Sequence, residues 1–440
     1  MEKIGDNGMK IKHLITLAIL PFTLISCGNN DISDIWSEIG FEPLNATINE
    51  PNQENYDFSK IRNIIVMIGD GMGYNHVEAG SYFKGSPLCF ADESNPDWTY
   101  HALVCTDSLT SQGFTLDTTK SLINPIENPT LYDDTPSPYG KDQATSITPY
   151  TDSAAAGTAL ATGKKTTNSR LGMGILGESY DNLVEIAHDL GKKTCVISSD
   201  ELVGATPSAY LSHISERNQR DQIIKAHATS KADLIITKKP SEWKDNAATS
   251  YTNLYKNNNW DNICYSLSDL SMDKNKQICL PDTISATKDR NLPTLKESTI
   301  FALDYLDNEE EGFFMMVEGA CIDKRAHSNL ADEEMIELMA FEETVYETYL
   351  WAKGRDDTLI IVTADHETGG LYFDGTPTKS TVLQKMKYLS YNHSRSRVRM
   401  DVFGDISAFT SKYATYLSDT LYGRPYWDNT YIFNLCAAYL

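Results

Sequence analysis

Short apolar runs and stretches of helical period alternate along most of this chain. Residues 64–68, 194–197, 233–236, 313–317 and 359–362 are dense in β-branched and apolar side chains, without alternation between apolar and polar positions. A strand with one wet face alternates, whereas a strand buried on both faces does not. The pattern therefore predicts mainly parallel strands covered on both sides. Residues 182–190, 216–228, 296–306 and 333–353 carry the helical period instead, and Gly191 follows the first of them as a helix-ending glycine. Strand and helix in alternation predict an α/β fold, a three-layer α/β/α sandwich with a central mostly parallel sheet, as one domain over 59–440. Two stretches break the rhythm. Residues 94–149 are rich in Asp, Thr, Pro and Asn, and 238–293 in Lys, Asn and Asp. Both are expected to be surface insertions, the places where specificity resides.

The amino terminus reads differently. Lys10, Lys12 and His13 precede an apolar run from Leu14 to Ile25, which is short for a bilayer span but suits a secretory signal. The run closes on Leu24-Ile25-Ser26-Cys27, a sequence that resembles the bacterial lipobox. The expectation is a signal peptide over 1–26, a lipidated Cys27, and a polar tether to residue 58. Met1 and Met9 are both candidate starts. An exported protein, held to the cell envelope by lipid alone, follows from this reading; no later stretch is apolar enough to span a membrane.

Composition narrows the partners. With 61 acidic and 38 basic residues the formal charge is −23 over 440 residues, and 41% of the chain is hydrophobic. That is a globular composition with ample core, and its acidity argues against nucleic-acid binding as a main role. Seven cysteines follow Cys27. Export permits disulfides, and Cys264 with Cys279, or Cys89 with Cys105, are candidate pairs, although an odd count leaves one thiol free.

The strand ends carry the chemistry. In open α/β sheets ligands sit beyond the carboxyl ends of the strands. Gly69-Asp70-Gly71-Met72-Gly73 follows the first run. Glu318, Asp323 and His327 follow the run ending at Val317, and Asp365-His366 follows the one ending at Val362. One Asp-Gly is ordinarily a turn. Three buried strands ending in Asp, Glu and His are a costly gathering of carboxylates, for which metal ions are the usual compensation. Asp323 and His327 are four apart and share a helix face. Residues 150–165 contain almost no bulky side chain, so their helix can lie close to the sheet, with Ser153 at its start. A helix start stabilises an alkoxide or a phosphate, and it is also where a serine serves as a plain cap.

Together these segments resemble the alkaline phosphatase family, from about Asn63 to Gly404. The motifs are Asp70-Gly71-Met72-Gly73, Thr151-Asp152-Ser153-Ala154, Ala205-Thr206-Pro207, Val317-Glu318-Gly319 with Ile322-Asp323-Lys324 and His327, and Thr363-Ala364-Asp365-His366. The resemblance implies a phosphomonoester hydrolase in which Ser153 is the phosphorylated nucleophile. It implies one zinc on Asp323, His327 and a distal histidine, for which His393 is the candidate after His366. It implies a second zinc on Asp70, Asp365, His366 and the Ser153 oxygen, and a magnesium on Asp70, Thr206 and Glu318. Arg217, eleven residues after Thr206, is implied as the phosphate grip, and Lys324 as a second phosphate contact through water. Small phosphomonoesters are the implied substrates, and homodimers are common in the family. Two features depart from the pattern. Some members carry an Asp two residues before the metal-binding Thr, where this chain has Gly204, and Arg395, Arg397 and Arg399 match no family feature. The zincs, magnesium and Arg217 together would make a locally positive well inside an acidic protein. A phosphodiesterase or sulfatase of the wider superfamily, or a surface lipoprotein that binds phosphate without turnover, are the competing readings.

Overall fold

A computed structural model describes residues 56–109, 150–287, 292–307, 309–414, 417, 419–421 and 424–440. The signal, Cys27 and most of the tether lie outside these residues, as does most of the stretch 94–149. Among the described residues no helix is long and apolar enough to cross a membrane.

The strands in chain order are β1 Asn63–Gly69, β2 Trp98–Cys105, β3 Lys193–Glu201, β4 Leu234–Lys238, β5 Asn262–Cys264, β6 Gln277–Cys279, β7 Phe313–Gly319 and β8 Thr358–Thr363. After these come β9 Glu367–Thr368, β10 Leu371–Phe373, β11 Met386–Tyr388, β12 His393–Ser394, β13 Val398–Phe403, β14 Thr420–Leu421 and β15 Arg424–Asp428. Eleven of them form one sheet in the order β14-β15-β2-β13-β8-β1-β7-β3-β4-β6-β5. From β8 to β5 every neighbour is parallel, while β13 runs against both β8 and β2. Two-stranded ribbons pair β10 with β11 and β12 with β9.

The central strands are buried along their whole length. All seven residues of β1, all seven of β7 and all six of β8 are sequestered from solvent. This is why their sequences show no alternation: helices cover both faces. The long helix Ala331–Ala352 packs against β7, β1 and β8, and Leu295–Leu306 packs against β3 and β7. Asn182 caps the helix Leu183–Asp189 with a reciprocal Glu185 contact, and Gly191 just beyond takes the left-handed conformation, φ 83°.

Five expectations need correction. Residues 98–105, inside the expected insertion 94–149, are β2, a strand of the central sheet flanked by β13 and β15. The stretch 238–293 likewise supplies β5 and β6, which extend the sheet at one edge. β5 and β6, of three residues each, give too little apolar run to be seen in a sequence. The helix expected over 216–228 begins only at Arg220, with residues 216–219 turning ahead of it. The small-residue helix Ser153–Thr162 packs mainly on the helices Ala205–Ala209 and Thr430–Tyr439 rather than on the sheet. The seven cysteines among the described residues are all free; Cys89 and Cys105 are not paired, and Cys264 and Cys279 are register partners on β5 and β6 without a bond.

Candidate active site

The carboxyl ends of β1, β7, β8 and β3 converge, and the residues expected at the site arrive with them. Asp70 follows β1 directly, and its amide donates to the Gly319 carbonyl at the end of β7 (3.2 Å). Gly71 then turns back with φ 73°. A Cβ there would lie 2.8 Å from the Asp323 Cα, so only glycine allows the β1 turn to approach that backbone so closely. The Gly71 amide donates to Asp365 Oδ1 (3.0 Å), which ties the ends of β1 and β8 together.

Two acceptor-rich clusters result. In the first, Asp70, Asp365 and His366 bring ligand atoms within 4.8 Å of one another, and all three residues are buried. His366 Nε2 lies 3.1 Å from Asp365 Oδ2, 3.7 Å from Asp70 Oδ1 and 3.1 Å from the Ser153 Oγ. In the second, Asp323, His366 and His393 meet the same criterion. His327 joins it, with Nε2 3.3 Å from Asp323 Oδ1 and 3.1 Å from His393 Nε2. The i, i+4 spacing of Asp323 and His327 does bring them together, with His327 closing the short helix Cys321–Ala326.

The tautomers show what these clusters want. His393 Nδ1 contacts the Thr151 carbonyl (2.6 Å), and His327 Nδ1 contacts the Tyr391 carbonyl. A carbonyl only accepts, so each Nδ1 carries a proton, and in the neutral ring that leaves Nε2 as a lone pair free to bind a cation. The two Nε2 atoms then face each other and Asp323 Oδ1, an oxygen that also accepts from the Thr368 hydroxyl. Such a set suits a cation, and metal-bound histidines have the same outer hydrogen bond.

The oxygen-rich side tells the same story. Among the described residues, Asp70 Oδ1, Asp365 Oδ2 and the Thr206 hydroxyl are buried without a hydrogen-bond partner. Glu318 accepts from the Ser198 hydroxyl. Burial, then the charges of Asp365, Asp323 and Glu318, pushes the Asp70 carboxyl far above its ordinary range. Burial raises Asp365 to about 7, and burial with the charge of Asp200 raises Glu318 to about 8. Burial together with His393, His327 and Arg217 holds His366 well below its usual value, hence neutral and a donor of a lone pair. Carboxylates made this reluctant to ionise need an external positive charge. The residues present therefore fit metal ions at two clusters, Asp323 with His366 and His393, and Asp70 with Asp365 and His366.

Ser153 is the first residue of its helix, but it is not the cap. Asp152 caps it, accepting from the Ala155 amide (2.9 Å). The serine hydroxyl is thus left unused by the helix and turned toward His366. The same Asp152 carboxylate accepts from the Ser169 amide (3.0 Å) and from Arg217 Nη1 (3.2 Å). Burial works against the Arg217 charge, but Asp152 outweighs it and keeps the guanidinium protonated, with Asp70 and Asp323 adding to the hold. Lys324 is more exposed and forms an ion pair with Asp200. Sequence reasoning missed Asp152, although its place in front of a nucleophile at a helix start is the signature of an N-cap. It also missed Thr368, whose hydroxyl bonds Asp323 Oδ1 (2.5 Å), because a lone threonine has no spacing to betray it. The unmatched arginines are structural. Arg395 pairs with Asp107 (2.7 Å), and Arg399 grips Asp401 on β13 (2.8 Å).

A sandwich with a serine, an arginine and these acceptor-only clusters at the ends of its parallel strands is an α/β protein with a metal-ready centre. The chain belongs to the alkaline phosphatase family, whose model matches residues 127–244 and 268–412. It is 32% identical to alkaline phosphatase 4 of Bacillus subtilis (strain 168) over 326 residues, covering 71% of this chain and 63% of that protein. It is 26% identical to the alkaline phosphatase of Escherichia coli (strain K12), covering 69% of this chain and 70% of that one. The chain thus spans just under two thirds of the first of these relatives. The solved alkaline phosphatase from the Antarctic bacterium TAB5 shares the fold, with a TM-score of 0.62 at 21% identity over 86% of this chain and 98% of that one.

Proposed function

We propose that this chain is a metal-dependent phosphomonoester hydrolase, an alkaline phosphatase that works through a phosphoserine at Ser153. The observation that carries the reading is the placement of the Ser153 hydroxyl 3.1 Å from Nε2 of His366, the histidine common to both clusters. Two zinc ions and one magnesium ion, held by the residues named above, would supply the positive charge that favours the serine alkoxide and offsets charge on the departing oxygen.

The chain's own groups do the rest. The buried helix behind Ser153 aims amide groups and its positive end at the hydroxyl, which stabilises the attacking oxygen and the phosphate it meets. Arg217, held by Asp152, offers a guanidinium fork to two non-bridging phosphate oxygens, a grip that favours a monoester dianion over a diester. The bond from phosphorus to the leaving alcohol breaks as the bond to Ser153 Oγ forms, and water then frees the serine. Asp152 keeps the guanidinium in place through both halves. Membrane attachment through Cys27, export to the cell envelope and homodimer formation stay part of this proposal.

Replacement of Ser153 by Ala tests it. The variant should keep its zinc and magnesium while hydrolysis of a chromogenic phosphomonoester falls by at least on the order of 10³. Undiminished turnover would refute the nucleophile. Faster turnover of a phosphodiester or sulfate ester than of a monoester by the unaltered protein would favour the wider superfamily instead.

A further inference from the structure

The short strands β9 and β12 pair antiparallel, with Glu367 opposite Ser394 and Thr368 opposite His393. Glu367 directly follows His366, and Ser394 directly follows His393. This ribbon therefore brings together two histidines that lie far apart in the chain, and their rings stack with centroids 3.6 Å apart. Its register sets how the two clusters lie against each other, because His366 belongs to both and His393 to one. The same strand meets the other strand ends as well. The Thr368 amide donates to the Gly71 carbonyl (3.2 Å), and the Thr368 hydroxyl donates to Asp323.

Glu367 is buried, yet it offers no ligand atom to either cluster. Its carboxylate holds the ribbon instead. Oε1 accepts from the Leu371 amide (2.9 Å), and Oε2 accepts from the Gly370 amide (3.2 Å) and from the Ser394 hydroxyl. The Ser394 oxygen itself accepts from the Ser396 amide (3.1 Å), so its one proton is directed to Glu367. One carboxylate thus closes the Gly369-Gly370 turn and bolts β9 to β12 across their register. Gly73 makes the room for it, since a Cβ there would lie 2.1 Å from the Glu367 Cγ and 2.7 Å from its Cβ.

We infer that Glu367 is a positioning residue of the metal centre: its carboxylate locks the ribbon of β9 and β12 so that His366 and His393 present their lone pairs at a fixed spacing. This role rests on the function proposed above, and Glu367 itself is not a ligand in it. A carboxylate that served only the turn would, when removed, lower stability and leave metal affinity alone. One that fixes the ligands changes metal affinity on the order of 10- to 100-fold, as partners behind metal ligands do. Both ions should loosen together, because His366 is common to the two clusters. Glutamine cannot stand in for Glu367. Whichever oxygen becomes the NH₂ group, a backbone amide of Gly370 or Leu371 then faces another donor.

The test uses the full chain and the variants Glu367→Gln, Glu367→Ala, Ser394→Ala and Tyr388→Phe. Zinc affinity is measured by competition with a chromophoric chelator, well below each variant's melting temperature. Turnover of a chromogenic phosphomonoester is followed as zinc is raised. Glu367→Gln and Glu367→Ala should each bind zinc at least about 10 times more weakly. Their turnover should recover to within about threefold at saturating zinc, since every ligand is still present. Ser394→Ala keeps both amide contacts and should lose about threefold in zinc affinity. Tyr388→Phe is the control. It removes a hydrogen bond to the buried Glu334 (2.7 Å) from a strand that pairs with neither β9 nor β12, so it should lower the melting temperature and leave zinc affinity unchanged. Glu367→Gln and Ser394→Ala carry the test if Glu367→Ala does not fold. Unchanged zinc affinity in Glu367→Gln would overturn the role. An equal zinc loss in Tyr388→Phe would overturn it as general loosening, and turnover that zinc cannot restore would overturn a role in holding ions. If the unaltered chain takes up no zinc, the proposed metal-dependent function fails and this role with it, an outcome read before any variant is made.

Discussion

At the scale of single residues, Asp152 carries the most consequences for its size. One carboxylate caps the helix of Ser153, holds the Ser169 amide and orients Arg217. Asp152→Ala should cost about 1 kcal/mol of stability as a lost cap. It should also weaken inhibition by inorganic phosphate about tenfold, because Arg217 loses the partner that aims it. Chemical denaturation and phosphate titration measure the two losses separately; a stability loss with unaltered phosphate binding would show that Arg217 is aimed by something else. At this scale the clustered acids and histidines were legible in the sequence because short motifs keep the chemistry adjacent, as in Asp365-His366 or Asp323 with His327. What was not legible was each ligand's support: the Thr151 and Tyr391 carbonyls that fix the tautomers of His393 and His327 are contacts between distant segments.

At the scale of elements, the helix Leu183–Asp189 is tied to the segment after Ala205–Ala209 by one imidazole. His213 contacts Glu185 through Nε2 (2.9 Å) and the Gly172 carbonyl through Nδ1 (2.9 Å), an arrangement that both nitrogens satisfy only when protonated. The Glu185 contact raises the His213 pKa, and although burial opposes it, His213 holds Glu185 below the ordinary range. A folded-state pKa above the unfolded value of about 6.5 gives stability that is full below that pH. It is lost as pH rises through the folded value. The Glu185 contribution is full above its unfolded value and lost as pH falls through the depressed folded one. His213→Ala should therefore cost about 1 kcal/mol near pH 6 and clearly less near pH 8.5. Equal losses by thermal melting at the two pH values would contradict this. Element legibility followed burial. The fully buried β1, β7 and β8 announced themselves; β5 and β6 are only three residues each, too short to form a run, while β2, whose apolar half Ala102–Cys105 is buried, was masked by the polar sequence around it.

At the scale of the whole molecule, strands from the start, middle and end of the chain meet as β1, β7 and β8, and their ends carry Asp70, Glu318 and Asp365 to one place. These carboxylates resist ionisation without a cation, so the fold and the ions should stabilise each other. Chelation of zinc and magnesium should lower the melting temperature by several degrees, with recovery on adding the ions back; an ion at a thousand times its dissociation constant is worth about 4 kcal/mol. An unchanged melting temperature would mean that the centre holds no ions. The charge of −23 belongs to the surface and says nothing of the site, where Arg217, Lys324 and bound cations would reverse the sign. By itself the sequence determined the α/β class, the central strands and the acidic and histidine residues that gather at the strand ends, because burial periodicity and short motifs are local. Only the tertiary structure decided how Glu367 ties the strands of His366 and His393 together, which carbonyls set the histidine tautomers, and why Asp152 rather than Ser153 caps the helix. Those depend on distances between residues far apart in the chain, which folding alone brings into contact.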